Sequence, residues 1–341
     1  MTTMPHVALP LPINLEEIDR PRFEKYAHCR LIEQAEVDTL RNVLLTHSGI
    51  VLKPPRLVST SIYLEEGDYV VKEAHKIALY NYFTKPRKRL PDERYLLICS
   101  FWCPGYYAWL HNALPRLLRV GDVQEYTLLL PENCRHLVSS LRPFPLKNIV
   151  YLKRNRLYRV RKLTLPSAVG SGARLGKATM SGLRDFFHRH LEQRDFSEAR
   201  YPKRIFISRK GAKVRRILNE AKVLGALAAF GVEAVHLENY DFWEQVALLK
   251  NAELVIAPHG AGLSNICFMY PGSVVLELFA DIVRPHYRNM YYQIAGLCEL
   301  HYAYQFCPTE SAEPNLYDRS FRVEVPKLLE NVAHCLKYLP N

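Results

Sequence analysis

Hydrophobic and polar positions alternate most regularly between residues 204 and 279. Apolar runs of five or six residues predict strands, and segments with an apolar residue every three or four positions predict helices. The predicted strands cover residues 204–208, 232–237, 253–257 and 274–279, and the predicted helices cover residues 219–230 and 241–251. Strands that alternate with helices indicate parallel βαβ units, and therefore a doubly wound α/β domain.

Two local signals support these helix limits. Asp241 with Glu244 three positions later is the pattern of a capping box, which opens a helix. Gly231 follows the first predicted helix, where glycine commonly ends one. Near the end of the chain, Pro326 opens a further predicted helix, whose apolar stripe is expected to pack back onto the body of the protein.

The N-terminal half also predicts a mixed α/β domain. Its predicted strands cover residues 95–100, 126–130, 148–152 and 158–165, and its predicted helices cover residues 107–120 and 132–141. Residues 167–176 form the richest Gly and Ser segment and are the candidate loop or hinge between the halves. We therefore predict two domains, residues 1–175 and residues 176–341, which face each other across a cleft.

Composition excludes several classes of protein. The longest uncharged segment, residues 254–276, is interrupted by prolines and glycines, so it predicts strand, loop and helix instead of a membrane span. The first twelve residues lack the pattern of a secretory signal, which makes a cytoplasmic location the expectation. The eight cysteines lie far apart along the chain, and we interpret them as buried thiols, including the close pair Cys99 and Cys103.

Charge is distributed unevenly along the chain. The net charge is +12, and residues 1–180 hold 27 basic against 16 acidic side chains, while the remainder holds 19 against 18. A basic surface of this kind binds a polyanion or an anionic membrane, although it can equally be a solvated face. No nucleic-acid recognition motif accompanies the charge, so a nucleic-acid partner is not expected.

Three segments near the ends of predicted strands could carry chemistry. The basic loop at residues 208–216 follows the first strand of the C-terminal domain, where a diphosphate is held in such folds, but it could also be an ordinary surface loop. The turn at residues 258–265 contains His259 and two glycines, which would let backbone amides approach a phosphate, or it is only a turn. Glu277 interrupts an apolar strand and could accept ribose hydroxyls, or it could point outward.

These segments together resemble glycosyltransferase family 61, of the bacterial capsular or lipopolysaccharide type. The resemblance rests on the order and spacing of RIFISR from residue 204, RRI from residue 215, HGAGL from residue 259, PGS from residue 271 and EL from residue 277. It implies a GT-B fold and an inverting transfer of a sugar from a nucleotide-sugar donor, expected to be a UDP-sugar. It also implies that neither a metal nor another cofactor is required.

By this resemblance, the C-terminal domain binds the donor and the N-terminal domain lies on the acceptor side. The implied donor-binding residues are Ser208, Arg209, Arg216, Asn219, His259, Gly260, Ala261, Gly262, Leu263, Asn265 and Glu277. The acceptor is expected to be a glycan or a lipid-linked molecule in surface polysaccharide biosynthesis. A lipid-linked acceptor would bring the protein to the inner face of the membrane as a peripheral protein.

The sequence departs from the family pattern in the helix predicted at residues 107–120. Members of the family typically have a His followed four residues later by Asp or Glu, and the corresponding positions here are Ala108 and Asn112. His111 is the candidate replacement base, since inversion needs a group that accepts the proton of the attacking hydroxyl. Neighbouring positions of a helix point about 100° apart, so His111 could replace residue 112 only through a local distortion.

Asp122 and Glu125 are the fallback candidates for the base, and a packed, non-catalytic His111 is the alternative. The leading prediction is an inverting glycosyltransferase. Because both acid–base positions are substituted, the alternative is a non-catalytic subunit that binds a nucleotide sugar within a polysaccharide assembly complex.

Overall fold

The computed structural model describes residues 6–30, 36–54, 56–62, 68–100, 103–167, 176–193, 201–282, 289–311, 313–315 and 318–339. The chain forms two compact units. One, the C-terminal unit, consists of Met1–Leu31 together with Met180–Asn341, and the other, the central unit, consists of Ile32–Thr179. Most of the Gly and Ser segment predicted as a hinge, residues 168–175, lies outside the described residues.

The N-terminal residues pack with the C-terminal unit. Strands β1 (His6–Ala8) and β2 (His28–Arg30) pair in antiparallel fashion around helix α1 (Arg20–Ala27). Phe23 of α1 is fully buried, and its ring lies 4.7 Å from that of Tyr304 and 5.2 Å from that of Tyr292. The Asn14 side chain donates a hydrogen bond of 2.8 Å to the carbonyl of Tyr304. The sequence pattern assigned this segment to the N-terminal domain, whereas these contacts join it to the C-terminal unit.

The central unit is built on one mixed sheet. Its strands are β3 (Val37–Thr46), β4 (Val51–Lys53), β5 (Arg56–Leu57), β6 (Arg87–Arg89), β7 (Tyr95–Leu96), β8 (Thr127–Pro131), β9 (Asn148–Leu152) and β10 (Leu157–Pro166). The order is β5-β4-β3-β10-β7-β8-β9, with β6 also paired to β10. Strands β10, β7, β8 and β9 are parallel to one another. The pairs β10–β3, β3–β4 and β4–β5 are antiparallel. The unit is therefore α/β, but its sheet is not wholly parallel.

The helices of the central unit are α2 (Asp68–Thr84), α3 (Tyr106–Ala108) and α4 (Leu114–Leu118), with a π-helical turn at Trp109–Ala113 that joins α3 to α4. The predicted helix at residues 132–141 is present as a 3₁₀ helix, Glu132–Leu141. Shorter 3₁₀ turns lie at Ser59–Ser61 and Val123–Glu125. Helix α5 (Lys177–Glu192) begins in the central unit and continues into the C-terminal unit.

The C-terminal unit contains the parallel sheet that the sequence predicts. Its strands are β11 (Arg204–Ile207), β12 (Glu233–Val235), β13 (Leu254–Pro258), β14 (Val274–Ala280) and β15 (His301–Cys307), and all its pairings are parallel in the order β12-β11-β13-β14-β15. Its helices are α6 (Glu220–Leu227), α7 (Phe242–Asn251), α8 (Met290–Leu297) and α9 (Val325–Cys335). The prediction of a mixed α/β fold with parallel sheets is confirmed.

Local signals in this unit act as the sequence indicates. The Asp241 side chain accepts hydrogen bonds from the amides of Trp243 and Glu244, and Glu244 accepts one from the amide of Asp241, which is a complete capping box. Gly231 has a φ of 66°, in the left-handed region that glycine adopts without strain. Helix α9 buries Leu328, Val332 and Cys335 in the same apolar core as β13 and β14.

The cysteine side chains and the lengths of the helices bear on two further expectations, namely buried thiols and the interpretation of residues 254–276 as something other than a membrane span. Seven cysteine side chains are described, and each is buried and not in a disulfide, as the interpretation of buried thiols requires. The Cys29 side chain lies outside the described part of the chain. Among the helices in the described ranges, none has the length and apolar character needed to cross a bilayer.

His188 makes the stability of the C-terminal unit depend on pH. Its Nε2 donates a hydrogen bond of 2.8 Å to the carbonyl of Phe268, and burial lowers its pKa to about 4. An unfolded histidine has a pKa of about 6.5, so the folded state excludes a proton that the unfolded state binds. The free energy of unfolding is therefore not reduced by His188 above about pH 6.5, and it falls by roughly 3 kcal/mol in total as the pH drops towards 4.

Urea unfolding of the wild type and of a His188→Gln variant between pH 7 and pH 4 would measure this contribution. We expect the free energy of unfolding of the wild type to fall more steeply with acidification, because glutamine can keep the hydrogen bond but does not titrate. Identical pH profiles for the two proteins would contradict the assignment.

Candidate functional site

A cavity opens at the carboxyl edge of the parallel sheet in the C-terminal unit. Its volume is about 390 Å³, and β11, β12 and β13 end beside it. Its lining comprises Ile207, Ser208, Arg209, Gly211, Ala212, Leu237, Glu238, Pro258, Gly262 and Leu263. Ligands of doubly wound domains bind at this edge of the sheet. The lining is largely apolar with a few polar groups, which is typical of a small-molecule site.

Arg209 brings a positive charge to the cavity, and no carboxylate of the described residues forms an ion pair with it. Its Nη2 donates a long hydrogen bond of 3.4 Å to the carbonyl of Val214, and its buried Nε has no hydrogen-bond partner among the described residues. The pKa of Arg209 is lowered, chiefly by burial and then by the nearby charge of Arg215. The Arg215 Nε is also buried and has no partner in the described ranges. Two neighbouring guanidinium groups with unused donors form a site for an anion.

Gly260 allows the Arg209 guanidinium to lie against the backbone of the 258–265 turn. A β-carbon at residue 260 would overlap Arg209 Nη1 and would lie 3.1 Å from its Cζ. The backbone of Gly260 is extended, so the requirement for glycine here is one of space. Gly262 is similarly crowded, since its β-carbon would lie 3.0 Å from Leu237 Cδ1 and 3.2 Å from Ile207 Cγ2. The two glycines therefore bring the turn into contact with the cavity.

His259 is held by a buried carboxylate. Its Nδ1 lies 2.6 Å from Oε1 of Glu277, and the Tyr302 hydroxyl donates a hydrogen bond of 2.7 Å to Oε2 of the same carboxylate. Glu277 is fully buried on β14, and burial raises its pKa while the hydrogen bonds from His259 and Tyr302 oppose that shift. A carboxylate at Nδ1 fixes that nitrogen as the protonated one, which leaves Nε2 for a ligand.

Aromatic rings fix the plane of the His259 imidazole. The Phe279 ring is stacked on it, at 5.2 Å between centroids and 29° between planes, and the Tyr291 ring meets it edge-on at 5.2 Å. Burial raises the pKa of Tyr291, whose hydroxyl also bonds to Ser264. His259 is thus pre-oriented on three sides, while its side chain keeps 13% of its accessible surface.

Ser208 connects the end of β11 to helix α6. Its hydroxyl donates a hydrogen bond of 2.6 Å to Oε1 of Glu220 and accepts one of 3.1 Å from the amide of Lys210. Oε2 of Glu220 is buried without a hydrogen-bond partner in the described part of the chain. Ser208 therefore shapes the start of the basic loop, and Glu220 is a buried acceptor that sequence reasoning did not place in the site.

Asn265 and Gln245 tie the 258–265 turn to the neighbouring loop. The Asn265 side chain donates hydrogen bonds to Oε1 of Gln245 (3.0 Å) and to the carbonyl of Gly262 (3.3 Å). The Gln245 amide in turn donates to the carbonyls of Leu237 and Tyr240. Asn265 is fully buried, so the structure gives it a supporting position behind the cavity.

Three other residues implied by the resemblance, Asn219, Arg216 and Ala261, are not among the residues that line the cavity. Asn219 exchanges two hydrogen bonds of 2.9 Å with the backbone of Val323, Arg216 is exposed, and Ala261 is exposed at the start of the 3₁₀ helix Ala261–Phe268. The arginine beside Arg209 is Arg215, whose φ of 57° turns the chain at that point. The sequence contains the pair Arg215 and Arg216, but only the path of the loop shows which one faces Arg209.

The candidate base lies in the π-helical turn of the central unit. His111 and Asn112 both belong to Trp109–Ala113, so the local distortion that the sequence argument required is present. Both side chains are buried, and the His111 ring lies 4.9 Å from that of Tyr107. Asp122 and Glu125 are exposed, and Glu125 forms an ion pair with Arg94. Whether any of these residues is the base stays a prediction.

Metal-binding side chains are not clustered in the part of the chain that the structure describes. There, no group of three or more His, Cys, Asp or Glu side chains is positioned to hold a metal ion. The charged residues that line the cavity are one cation, Arg209, and one anion, Glu238.

The chain is similar to a known protein family and to several known proteins. The model of the family described as "Glycosyltransferase 61" matches residues 106–276, which is half of the chain. The chain is also similar to proteins named "Protein O-linked-mannose beta-1,4-N-acetylglucosaminyltransferase 2". It is 33% identical over 120 residues to the Bos taurus protein and 38% identical over 86 residues to the Homo sapiens protein.

These matches are partial. They cover 34% and 24% of this chain, and 21% and 15% of the Bos taurus and Homo sapiens proteins, respectively. The family and the names of the relatives support a transferase of the glycosyltransferase class. They do not support the bacterial capsular or lipopolysaccharide type that the sequence suggested. With the family model spanning both the π-helical turn and the cavity edge, the chain belongs to the glycosyltransferase 61 family.

Proposed function

We propose that this protein transfers a sugar, with inversion at the anomeric carbon, from a UDP-sugar to a glycan or lipid-linked acceptor. The observation that carries the proposal is the Arg209 guanidinium, which lies partly buried against Gly260 with an unused Nε donor and with Arg215 beside it. A diphosphate would neutralise both charges and accept their hydrogen bonds. Backbone amides at the start of the 3₁₀ helix Ala261–Phe268 would add to this anion site.

The cavity beside Arg209 is suited to the nucleoside of the donor. Ile207, Leu237, Pro258 and Leu263 supply apolar surface for a base, and the exposed carboxylate of Glu238 can accept hydrogen bonds from a base or a ribose. The predicted ribose contact of Glu277 stays a prediction, and its two hydrogen bonds to protein groups favour a role in positioning His259.

Departure of the nucleoside diphosphate requires that its growing negative charge be stabilised. Arg209 and Arg215 could do this as fixed donors, which is the physical basis for proposing catalysis without a metal or other cofactor. His111 in the π-helical turn stays the proposed base that accepts the proton of the acceptor hydroxyl.

The finer identity of the reaction is also a proposal. We infer a GT-B fold, a cytoplasmic location with peripheral contact at an anionic membrane, and a role in surface polysaccharide assembly. The names of the relatives favour a second acceptor class, O-linked mannose on protein, with N-acetylglucosamine as the sugar. Transfer assays with both classes of acceptor would separate the two.

Thermal-shift measurements with UDP-, GDP-, CMP- and dTDP-sugars would test the donor. A ligand that binds only the native state at 100 times its Kd adds about 2.7 kcal/mol of stability, so UDP-sugars are expected to raise the Tm. Stabilisation by another nucleotide alone would exclude the UDP assignment, and stabilisation by none would refute the donor site. Binding without hydrolysis or transfer to any acceptor would instead favour a non-catalytic subunit.

A further inference from the structure

The central unit has a second cavity, which is basic and has no role in the proposed donor site. Its volume is about 540 Å³. The turn after β3, helix α2 and the segment after β9 surround it and contribute His47, Ser48, Lys76, Tyr80, Lys85 and Arg154. One carboxylate also lines it, that of Glu73, which pairs with Lys76 at 3.5 Å.

Two of the cations at this cavity form no ion pair within the described ranges. Lys85 and Arg154 have no ion pair with a carboxylate among the described residues, and Lys85 Nζ lies 5.0 Å from the centre of the Tyr80 ring. The pKa of His47 is lowered, first by burial, then by the charge of Arg154, and also by that of Lys85, while a hydrogen bond with Asn81 opposes the shift. The Nδ1 of His47 is buried with no partner in the described ranges. The cavity therefore presents positive charge from Lys85 and Arg154.

An exposed apolar surface adjoins the cavity on the same helix. Leu79 and Phe83 of α2 are 56% and 78% exposed, and Tyr80, which also lines the cavity, is 59% exposed. The spacing of Lys72, Lys76, Leu79 and Phe83 places these four residues along one helix face. Strand β6 follows, with Arg87, Lys88 and Arg89 all exposed. Large apolar side chains ringed by Lys and Arg are typical of a surface that enters the headgroup region of an anionic bilayer.

We propose that the basic cavity binds the phosphate of an anionic membrane lipid, while Leu79 and Phe83 contact its hydrocarbon chain. A soluble phosphate ester would match the cations but would leave the two apolar side chains in water. An uncharged amphiphile would match the apolar side chains but would leave Lys85 and Arg154 unneutralised. A lipid phosphate satisfies both sets of groups, with Tyr80 at the polar–apolar boundary where tyrosine is favoured.

The basic cavity gives the proposed membrane contact a defined site. It rests on the proposed function only in that binding of a lipid would bring the acceptor near the protein. Co-sedimentation of the full chain with vesicles would test it independently of donor chemistry. We expect binding to phosphatidylcholine vesicles that contain about 30% phosphatidylglycerol and little binding to phosphatidylcholine alone. Failure of the donor assays would leave this result unaffected.

Matched double variants separate the cavity from general charge. Lys85→Ala with Arg154→Ala is expected to weaken vesicle binding by about tenfold or more. Leu79→Ser with Phe83→Ser should weaken it comparably without a change of charge. The control, Lys222→Ala with Lys337→Ala, removes the same charge from exposed positions of the C-terminal unit and should bind as the wild type does. Unchanged circular dichroism spectra would show that the variants fold.

Three outcomes would overturn the inference. Equal losses in the cavity variant and the charge-matched control would mean non-specific attraction. Full binding by the Leu79 and Phe83 variant, together with competition by millimolar glycerol phosphate, would identify a soluble phosphate ester as the ligand. Equal binding to vesicles with and without phosphatidylglycerol would exclude an anionic lipid.

Discussion

The Arg209→Ala variant is expected to lose donor-dependent activity, with a fall in kcat/KM on the order of 10²–10³-fold. Removing the guanidinium removes the donors best placed for a diphosphate, and Arg215 alone cannot replace its position against the 258–265 turn. Initial rates of sugar transfer, and the Tm increase caused by the nucleotide, would measure the loss.

The free energy of unfolding distinguishes a role of Arg209 in donor binding from a role in stabilising the fold. Arg209 is partly buried without an ion pair among the described residues, and burial and Arg215 both disfavour its charge. Removing it should therefore leave the free energy of unfolding of the ligand-free protein unchanged or raise it. Unchanged or increased stability is expected on removal of a ligand-binding residue whose charge is unfavourable in the ligand-free protein, because the ligand supplies the missing interactions.

Two further variants sharpen the test of Arg209. Arg209→Lys keeps the charge but loses the planar fork of donors, so it should restore only part of the activity. Lys210→Ala removes an exposed neighbouring charge and serves as the control, with activity expected near that of the wild type. An Arg209→Ala variant that keeps both full activity and full stabilisation by the nucleotide would refute the donor site.

Short-range patterns predict the C-terminal sheet well because its strands and helices follow one another along the chain. The capping box at Asp241 and the glycine at residue 231 set helix ends through neighbours within a few positions. Strand β15 escaped prediction because its sequence, HYAYQFC, mixes aromatic and polar residues, and its burial comes from pairing with β14 and from packing on Phe23. Such burial depends on contacts between distant segments, which periodicity does not encode.

The same limit applies to the candidate site. The glycines and His259 are recognisable from the sequence because they form a short motif directly after an apolar strand. One sequence does not contain the directions of side chains. It therefore does not show that Arg215 instead of Arg216 lies beside Arg209, or that His259 and Tyr302 bond to the two oxygens of Glu277. For Asn219, the family motif predicts a role in donor binding, whereas in the structure its side chain forms two hydrogen bonds with the backbone of Val323.

Replacing Glu277 with glutamine is expected to reduce activity on the order of 10²-fold while the fold persists. His259 and Tyr302 bond to different oxygens of Glu277, and a glutamine has an oxygen at only one of these two positions, so it cannot accept at both. If its amino group faces the imidazole, Nδ1 must become the acceptor and the proton moves to Nε2, the nitrogen left for the ligand. Because burial raises the pKa of Glu277, the neutral amide also removes a desolvation cost, and stability should not fall sharply.

A spectroscopic measurement distinguishes this tautomer change from general damage. Long-range ¹H–¹⁵N correlation spectra of the His259 ring should show protonation at Nδ1 in the wild type and at Nε2 in Glu277→Gln. Tyr302→Phe is the matched control, because it removes the other hydrogen bond and keeps the carboxylate beside His259. It should keep the wild-type tautomer and lose less activity than Glu277→Gln. If the two variants lose activity equally and leave the His259 tautomer unchanged, the carboxylate does not act by positioning that imidazole.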